Sequence, residues 1–171
     1  DGNYMLSRNF RLQKAGDINW LLESYDFSKI SFCIDELIII DASRKKKGEK
    51  KFFNDLNILA SNCFVPIAAG GGIIKAEQAK IFFSNGSDKI ILNSIIHEGK
   101  NVIEEISKNY GSQSIIASVD FKKIDGVYRV FINNGSFMIN ENFEDYIKKI
   151  SCCPIGEIYL NSIDKDRTGQ G

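Results

Sequence analysis

Short, almost uninterrupted apolar runs alternate along this chain with segments in which apolar residues recur three and four positions apart. The runs are Glu36–Asp41, Val65–Ala69, Lys89–Asn93, Ser114–Asp120 and Glu157–Ser162. Being apolar on both faces, they predict strands of a parallel sheet that helices cover. Between them, Phe52, Phe53, Leu56, Leu59 and Ala60 mark one amphipathic helix, and Ala76, Ala79, Phe82 and Phe83 a second. Val102, Ile103 and Ile106 mark a third, and Phe143, Tyr146, Ile147 and Ile150 a fourth. Asn85-Gly86, Gly111 and Gly156 punctuate the helix ends. One interruption follows Asp120, where Val127–Ile132 and then Asn133-Asn134-Gly135 predict a small hairpin inserted behind the strand.

Strand, helix, strand in this order suits two α/β folds, the (β/α)8 TIM barrel and the open doubly wound sheet. The glycine-rich turn is Gly70-Gly71-Gly72 after the second complete strand, not a G-x-G-x-x-G after the first, and this placement favours the barrel. The chain opens on Asp1-Gly2 and stops at Thr168–Gly171, a loop-like stretch just after a strand. The expectation is a single, incomplete TIM-barrel domain over residues 1–171.

Composition narrows the chemistry. The chain has 171 residues, 43% of them hydrophobic, with 22 basic and 22 acidic side chains, so it can bury a core but has no general pull toward nucleic acid or anionic membranes. Any anion site must be local. Cys33, Cys63, Cys152 and Cys153 form no C-x-x-C pair and His97 is the single histidine, so neither a zinc site nor a disulfide framework is suggested, and no cofactor is expected. No apolar run approaches the ~20 residues of a membrane span and no signal peptide opens the chain, so a cytoplasmic location is expected.

Candidate chemistry sits at the strand ends. Consecutive glycines at 70–72 let backbone N–H groups approach an anionic oxygen, although they also suit a merely permissive turn. The next strand delivers Asn93 and Ser94 beside that loop, and the two loops together make a phosphate cradle. Asp41, Asp120, Ser162 and Asp164 end the remaining strands. Carboxylates converging on one mouth can do general acid–base work, and Asp120 is the strongest because the hairpin after it roofs the site. At the opposite strand ends stand Glu36, Lys89 and Glu157. Strand period two puts Lys89 on the face of Asn93, so an Asn93 in the barrel mouth implies a Lys89 in the barrel floor, where Glu36 and Glu157 can partner it. The basic run Arg44–Lys51 is either a solvated loop or a further hold on an anionic substrate.

Taken in order, Asp1-Gly2, Ile34–Asp41, Pro66–Ile73, Gly86–Ser94, Gly111-Ser112-Gln113, Ala117–Asp120, Asp125-Gly126 and Ser162–Asp166 resemble the cyclase subunits of imidazole glycerol phosphate synthase. The resemblance implies a ribulose-phosphate-binding barrel running from about the end of the first strand to the sixth. It implies an enzyme of histidine biosynthesis, in heterodimer with a glutaminase whose ammonia crosses the barrel. The substrate is then an aminoimidazole carboxamide ribonucleotide bearing a phosphoribulosyl arm. By the same resemblance Asp120 is one of two catalytic aspartates, and Gly71, Gly72, Asn93 and Ser94 hold one substrate phosphate. Asp41 also touches substrate, and Asp166 lies near a second phosphate site. Glu36, Lys89 and Glu157 belong to a charged ammonia gate, and Asp88 faces the partner. Leu6 stands where the family has a lysine, and Arg167 where it has a glycine. Those departures leave open a paralogue that serves a surface-polysaccharide sugar amidotransferase, or a non-catalytic scaffold that activates a glutaminase.

Overall fold

The computed structural model describes residues 3–8, 10–43 and 49–166. Asp1-Gly2, positions 44–48 of the basic run, and the closing stretch from Arg167 lie outside the described residues.

The expected strands and helices are present. Strand β3 is Leu37–Ile40, β4 Ile67–Gly70, β5 Lys89–Leu92, β6 Ile115–Ile124 and β9 Glu157–Ser162, and they run parallel in the order β3-β4-β5-β6-β9. Helices α3 Glu49–Asn62, α4 Ala76–Ser84, α6 Lys100–Tyr110 and α7 Phe143–Ser151 connect them. A short α5, Ser94–Glu98, precedes α6. Strand β4 starts two residues later than the apolar run, because Pro66 has no N–H and serves only as acceptor, from Leu37 N–H at 2.9 Å. Strand β5 stops before Asn93, whose backbone (φ −122°, ψ −91°) leaves the extended region.

The predicted hairpin is larger than the pattern suggested. Strand β6 continues unbroken to Ile124, turns at Asp125-Gly126 and returns as β7, Val127–Ile132, with Asp120 opposite Phe131 and Ile124 opposite Val127. A second turn at 133–136 leads to β8, Phe137–Met138. Packing of Phe121, Tyr128 and Phe143, with ring centroids 5.3–5.7 Å apart, holds the hairpin on α7.

The segment ahead of β3 carried no sequence expectation. Strands β1, Tyr4–Arg8, and β2, Arg11–Gly16, form a separate antiparallel pair. Helix α1, Ile18–Ser24, follows, capped by Asp17, whose side chain accepts from Trp20 N–H at 3.0 Å, and then comes α2, Phe27–Ile30.

The sheet has two unlike faces. Outward residues such as Ile67, Ala69, Ile90, Leu92, Ile115 and Ala117 are buried with Leu56, Leu59, Ala79, Phe82, Ile103, Ile106 and Ile150 of the helices in the main core. Inward residues Ala68, Ile91 and Ile116 form a second small core with Tyr159. Register sets Ile38, Ala68 and Lys89 side by side, then Ile91, Ile116 and Glu157, so the inner face climbs across the strands as the shear of a barrel requires. Curvature follows from one contact set. Lys89 on β5 reaches Glu36, which precedes β3, and Glu157, at the start of β9, although β4 and β6 stand between. Only a sheet curled around its inner face brings those carboxylates to one ammonium. This is the alternating architecture of a partial (β/α)8 barrel. No helix among the described residues is long and apolar enough to cross a membrane.

Candidate functional site

The carboxyl ends of the strands form the mouth. There Asp120 is 6% exposed, with Oδ2 accepting from Asn93 Nδ2 and Oδ1 from Asn161 Nδ2, each at 3.1 Å. Asn93 Nδ2 also donates to Ser118 O at 3.1 Å, which fixes the amide's orientation. Burial pushes the Asp120 carboxyl from 3.8 up to about 6, against the lowering pull of Asn161 and Asn93. A carboxyl in that range can both give and take a proton near neutrality. Tyr159, its neighbour on the inner face, has its phenol pushed up by burial and by the charges of Asp120 and Asp166.

The glycine loop divides by role. A Cβ on Gly70 would stand 2.6 Å from Ile91 O, and one on Gly71, where φ is +131°, would stand 2.6 Å from Asp41 O. Those two glycines are demanded by close packing. Gly72, with φ +63°, faces open space, and this is the position an anionic oxygen can approach. Gln78 of α4 ties the loop down, accepting from Ile74 N–H and Lys75 N–H at 2.8 and 3.0 Å and donating to Gly72 O at 3.3 Å. Ser94 lies beside Asn93, its hydroxyl exchanging hydrogen bonds with Asn133 of the β7–β8 turn.

Other strand-end acids are engaged locally. Asp41 Oδ1 accepts from Ser43 N–H at 2.9 Å, and Asp164 Oδ1 accepts from Ser162 Oγ at 2.9 Å, which lowers the Asp164 carboxyl. Asp166 Oδ2 accepts from Ser7 Oγ at 2.5 Å and from Phe10 N–H at 3.0 Å, so the segment after β9 carries the β1–β2 turn. A Cβ on Gly135 would meet both Ile163 and Phe10 at 3.4 Å, so three turns converge above the mouth.

The floor gathers the predicted charges. Lys89 Nζ lies 2.9 Å from Glu36 Oε1 and 2.5 Å from Glu157 Oε1. The Glu36 contact is an ion pair off the line of a hydrogen bond, since Oε1 is buried without a well-aligned donor. Hydrogen bonding to Glu157, with the Glu36 carboxylate beside it, raises the Lys89 pKa and keeps the ammonium charged. Asp88, at the same end, accepts from Ile67 N–H on Oδ2 and donates its own N–H to Ile67 O, both at 2.8 Å, closing the start of β4. Phe32 (91% exposed) and Phe64 (78% exposed) flank this end on loops that Phe64 N–H joins to Ser31 Oγ at 3.3 Å.

Asp120 thus meets Asn93, and Lys89, which the strand period puts on the face of Asn93, meets Glu36 and Glu157. Asn161, Gln78 and Asn133 were not foreseen. Asn161 was within reach of the same period, since Glu157, Tyr159 and Asn161 share a face. No three His, Cys, Asp or Glu among the described residues are grouped to hold a metal ion.

Comparison with known proteins agrees with this arrangement. A family model described as "Histidine biosynthesis protein" matches residues 10–171. A putative imidazole glycerol phosphate synthase subunit hisF2 of Parasynechococcus marenigrum is 46% identical over 171 residues, covering 100% of this chain and 64% of that protein. The putative HisF subunit of Leptospira borgpetersenii is 38% identical over 139 residues, 80% of this chain and 55% of its own length. The HisF subunit of Campylobacter concisus is 32% identical over 172 residues, 100% of this chain and 67% of its own. The chain therefore spans between about half and two-thirds of the length of these relatives. With its parallel sheet of alternating strands and helices and its match along nearly the whole sequence, the chain belongs to the histidine biosynthesis protein family.

Proposed function

We propose that this chain carries the cyclase site of an imidazole glycerol phosphate synthase, working in histidine biosynthesis in the cytoplasm as the heterodimeric partner of a glutaminase. One observation carries the reading: β5 holds Lys89 between two carboxylates at one end and presents Asn93 to Asp120 at the other. The glutaminase releases ammonia at the floor, against the face bearing Asp88, Phe32 and Phe64. Ammonia passes Lys89 and its carboxylates, then moves along the small inner core of Ala68, Ile91, Ile116 and the Tyr159 ring. At the mouth it meets the phosphoribulosyl aminoimidazole carboxamide ribonucleotide.

Gly71, Gly72, Asn93 and Ser94 hold one phosphate of that substrate in this reading, Asp41 backs the loop, and Asp166 lies beside the second phosphate. Asp120 takes a proton from the nitrogen that has added and delivers one to the nitrogen that departs. The lyase step leaves imidazole glycerol phosphate and aminoimidazole carboxamide ribonucleotide. The names of the relatives support this function and give the sugar-amidotransferase alternative no support.

Edges of the sheet bear on activity. Among the described residues β3 and β9 each have one side without a strand partner, and inward-facing Ile38 and Ile40 are 38% and 48% exposed. The proposal is that residues 1–171 form one barrel domain that further strands complete, and that the 171 residues alone do not turn over. The completed protein, supplied with the ribonucleotide and an ammonium salt, tests it. Product formation that falls by at least ~100-fold in Asp120→Asn is expected. Absence of ammonium-dependent product from the unmutated protein overturns the reading.

A further inference from the structure

We infer that Asn133, in the β7–β8 turn, is a positioning residue of the anion cradle: it holds the Ser94 hydroxyl and turns its own carboxamide toward an anion that Ser94 has bound. The inference rests on the reading of Gly72, Asn93 and Ser94 as a phosphate cradle, and it adds a residue from outside those loops.

Two hydrogen bonds run between Asn133 and one serine oxygen. The Asn133 backbone N–H donates to Ser94 Oγ at 3.1 Å, and the Ser94 hydroxyl has Asn133 Oδ1 as an acceptor at 3.0 Å. Asn93 Oδ1, at 3.2 Å, is a second acceptor for the same proton. A hydroxyl has one proton, so it satisfies only one of these acceptors at a time, and both are neutral amide oxygens. An anionic oxygen arriving beside Ser94 is the stronger acceptor and captures that proton. The backbone N–H of Asn133 still occupies one lone pair of Ser94 Oγ, so the oxygen stays in place while its proton swings.

Capture of the proton leaves Asn133 Oδ1 without its donor and next to negative charge. Half a turn about the last side-chain torsion exchanges Oδ1 for Nδ2, a rotation open to any exposed amide, and presents an N–H donor to the anion. Asparagine is suited to this because it accepts while the site is empty and donates when the site is filled.

The backbone of the turn supports the same role. Asn133, Asn134 and Gly135 all have left-handed φ, of 55°, 57° and 73°. Two successive non-glycine residues in that region cost conformational energy, and the surroundings must hold them there. Ser136 does so from one side, its Oγ donating to Asn133 O at 2.6 Å. Gly135 lies against Phe10 and Ile163 on the other, at van der Waals distance from where a Cβ would stand. The turn is wedged between the loop after β5 and the segment after β9, which fixes the distance from Asn133 to Ser94.

Inorganic phosphate, titrated calorimetrically into the completed protein, tests this with three single variants and one double variant. Asn133→Gly and Asn133→Asp both tolerate a left-handed backbone, so each keeps the turn and its N–H. Asn133→Gly, which loses the amide donor, is expected to bind phosphate about fivefold more weakly, and Asn133→Asp, which adds like charge, at least ~30-fold more weakly. In Ser94→Ala the further change to Asn133→Gly is expected to add less than about twofold, because the two residues act as one unit. Turnover gives the second readout, a KM raised in Asn133→Gly by about the factor lost in phosphate affinity, with kcat within about twofold. Phosphate affinity that falls in Ser94→Ala but stays at the unmutated value in Asn133→Asp overturns the inference and leaves the cradle standing. Affinity untouched by Ser94→Ala removes the cradle itself, and the inference with it.

Discussion

Asp120 is buried without a cationic partner among the groups that hydrogen-bond it, so its ionisation and the stability of the fold are linked. In the unfolded chain the carboxyl ionises near 3.8, and in the folded protein near 6. A group raised by folding contributes native stability that is complete below the lower value and lost as pH climbs through the upper one. The gap of about two units corresponds to about 3 kcal/mol at neutral pH. Between about pH 4.5 and about pH 7.5 the change still to come is roughly 2 kcal/mol. Asp120→Asn removes the titration while keeping size and shape. It also leaves one of the two facing amides opposite an N–H2, a loss of about 1–3 kcal/mol that does not vary with pH and so drops out of the comparison. Thermal unfolding of both proteins across that range is the assay, because every other titrating group is common to the pair. The variant's Tm relative to the unmutated protein is expected to rise by roughly 4–8 °C from the acidic to the neutral end. A difference that stays flat with pH refutes the raised carboxyl, and with it the argument that Asp120 is tuned for proton transfer.

The two kinds of glycine separate by substitution. Gly71→Ala drives a Cβ to within 2.6 Å of Asp41 O at a φ of +131° and is expected to destabilise the fold by at least ~3 kcal/mol in denaturant melts. Gly72→Ala costs about 1–2 kcal/mol of backbone strain and its main effect is loss of phosphate affinity; the opposite ordering contradicts the division of roles. Lys89→Met leaves Glu36 and Glu157 facing each other at the floor, and the ratio of glutamine hydrolysed to cyclised product formed is expected to rise in the glutaminase complex. An unchanged ratio argues against a gate there. Phe32→Ser with Phe64→Ser is expected to weaken glutaminase binding by at least ~2 kcal/mol in calorimetry while ammonium-driven turnover is retained.

Much of this was legible from the chain because parallel strands buried on both faces and helices buried on one leave different periods in sequence. A period of two from Lys89 to Asn93 puts both on one face and so marks both ends of the barrel. The same period puts Asn161 on the face of Glu157, whereas Ser162, the more conspicuous polar residue at the end of that strand, turns its hydroxyl to Asp164. The β1–β2 pair escaped for a physical reason: Arg11, Leu12, Gln13 and Lys14 are all exposed, so no buried face imposed an alternation on them. Asn133 escaped for another. Asn-Asn-Gly announces a turn by its backbone preferences, correctly, but its partner Ser94 lies 39 positions earlier, and no local pattern encodes where a turn lands.

The choice of asparagine on both sides of Asp120 joins fold to chemistry. A buried carboxylate needs donors for its lone pairs, and a lysine or arginine at either position supplies them along with a positive charge that pulls the carboxyl down by 1–3 units. Asn93 and Asn161 supply the hydrogen bonds without the charge, so burial prevails and the group stays near neutrality. At the floor the preference is reversed, since Lys89 lies between carboxylates that hold it charged. Strand β5 contributes to both arrangements within five residues because positions 89, 91 and 93 point the same way. An ion-paired end and a charge-free, amide-lined end on one inner face keep a charge at the floor while placing the raised Asp120 carboxyl at the mouth, where the proposed reaction calls for proton transfer.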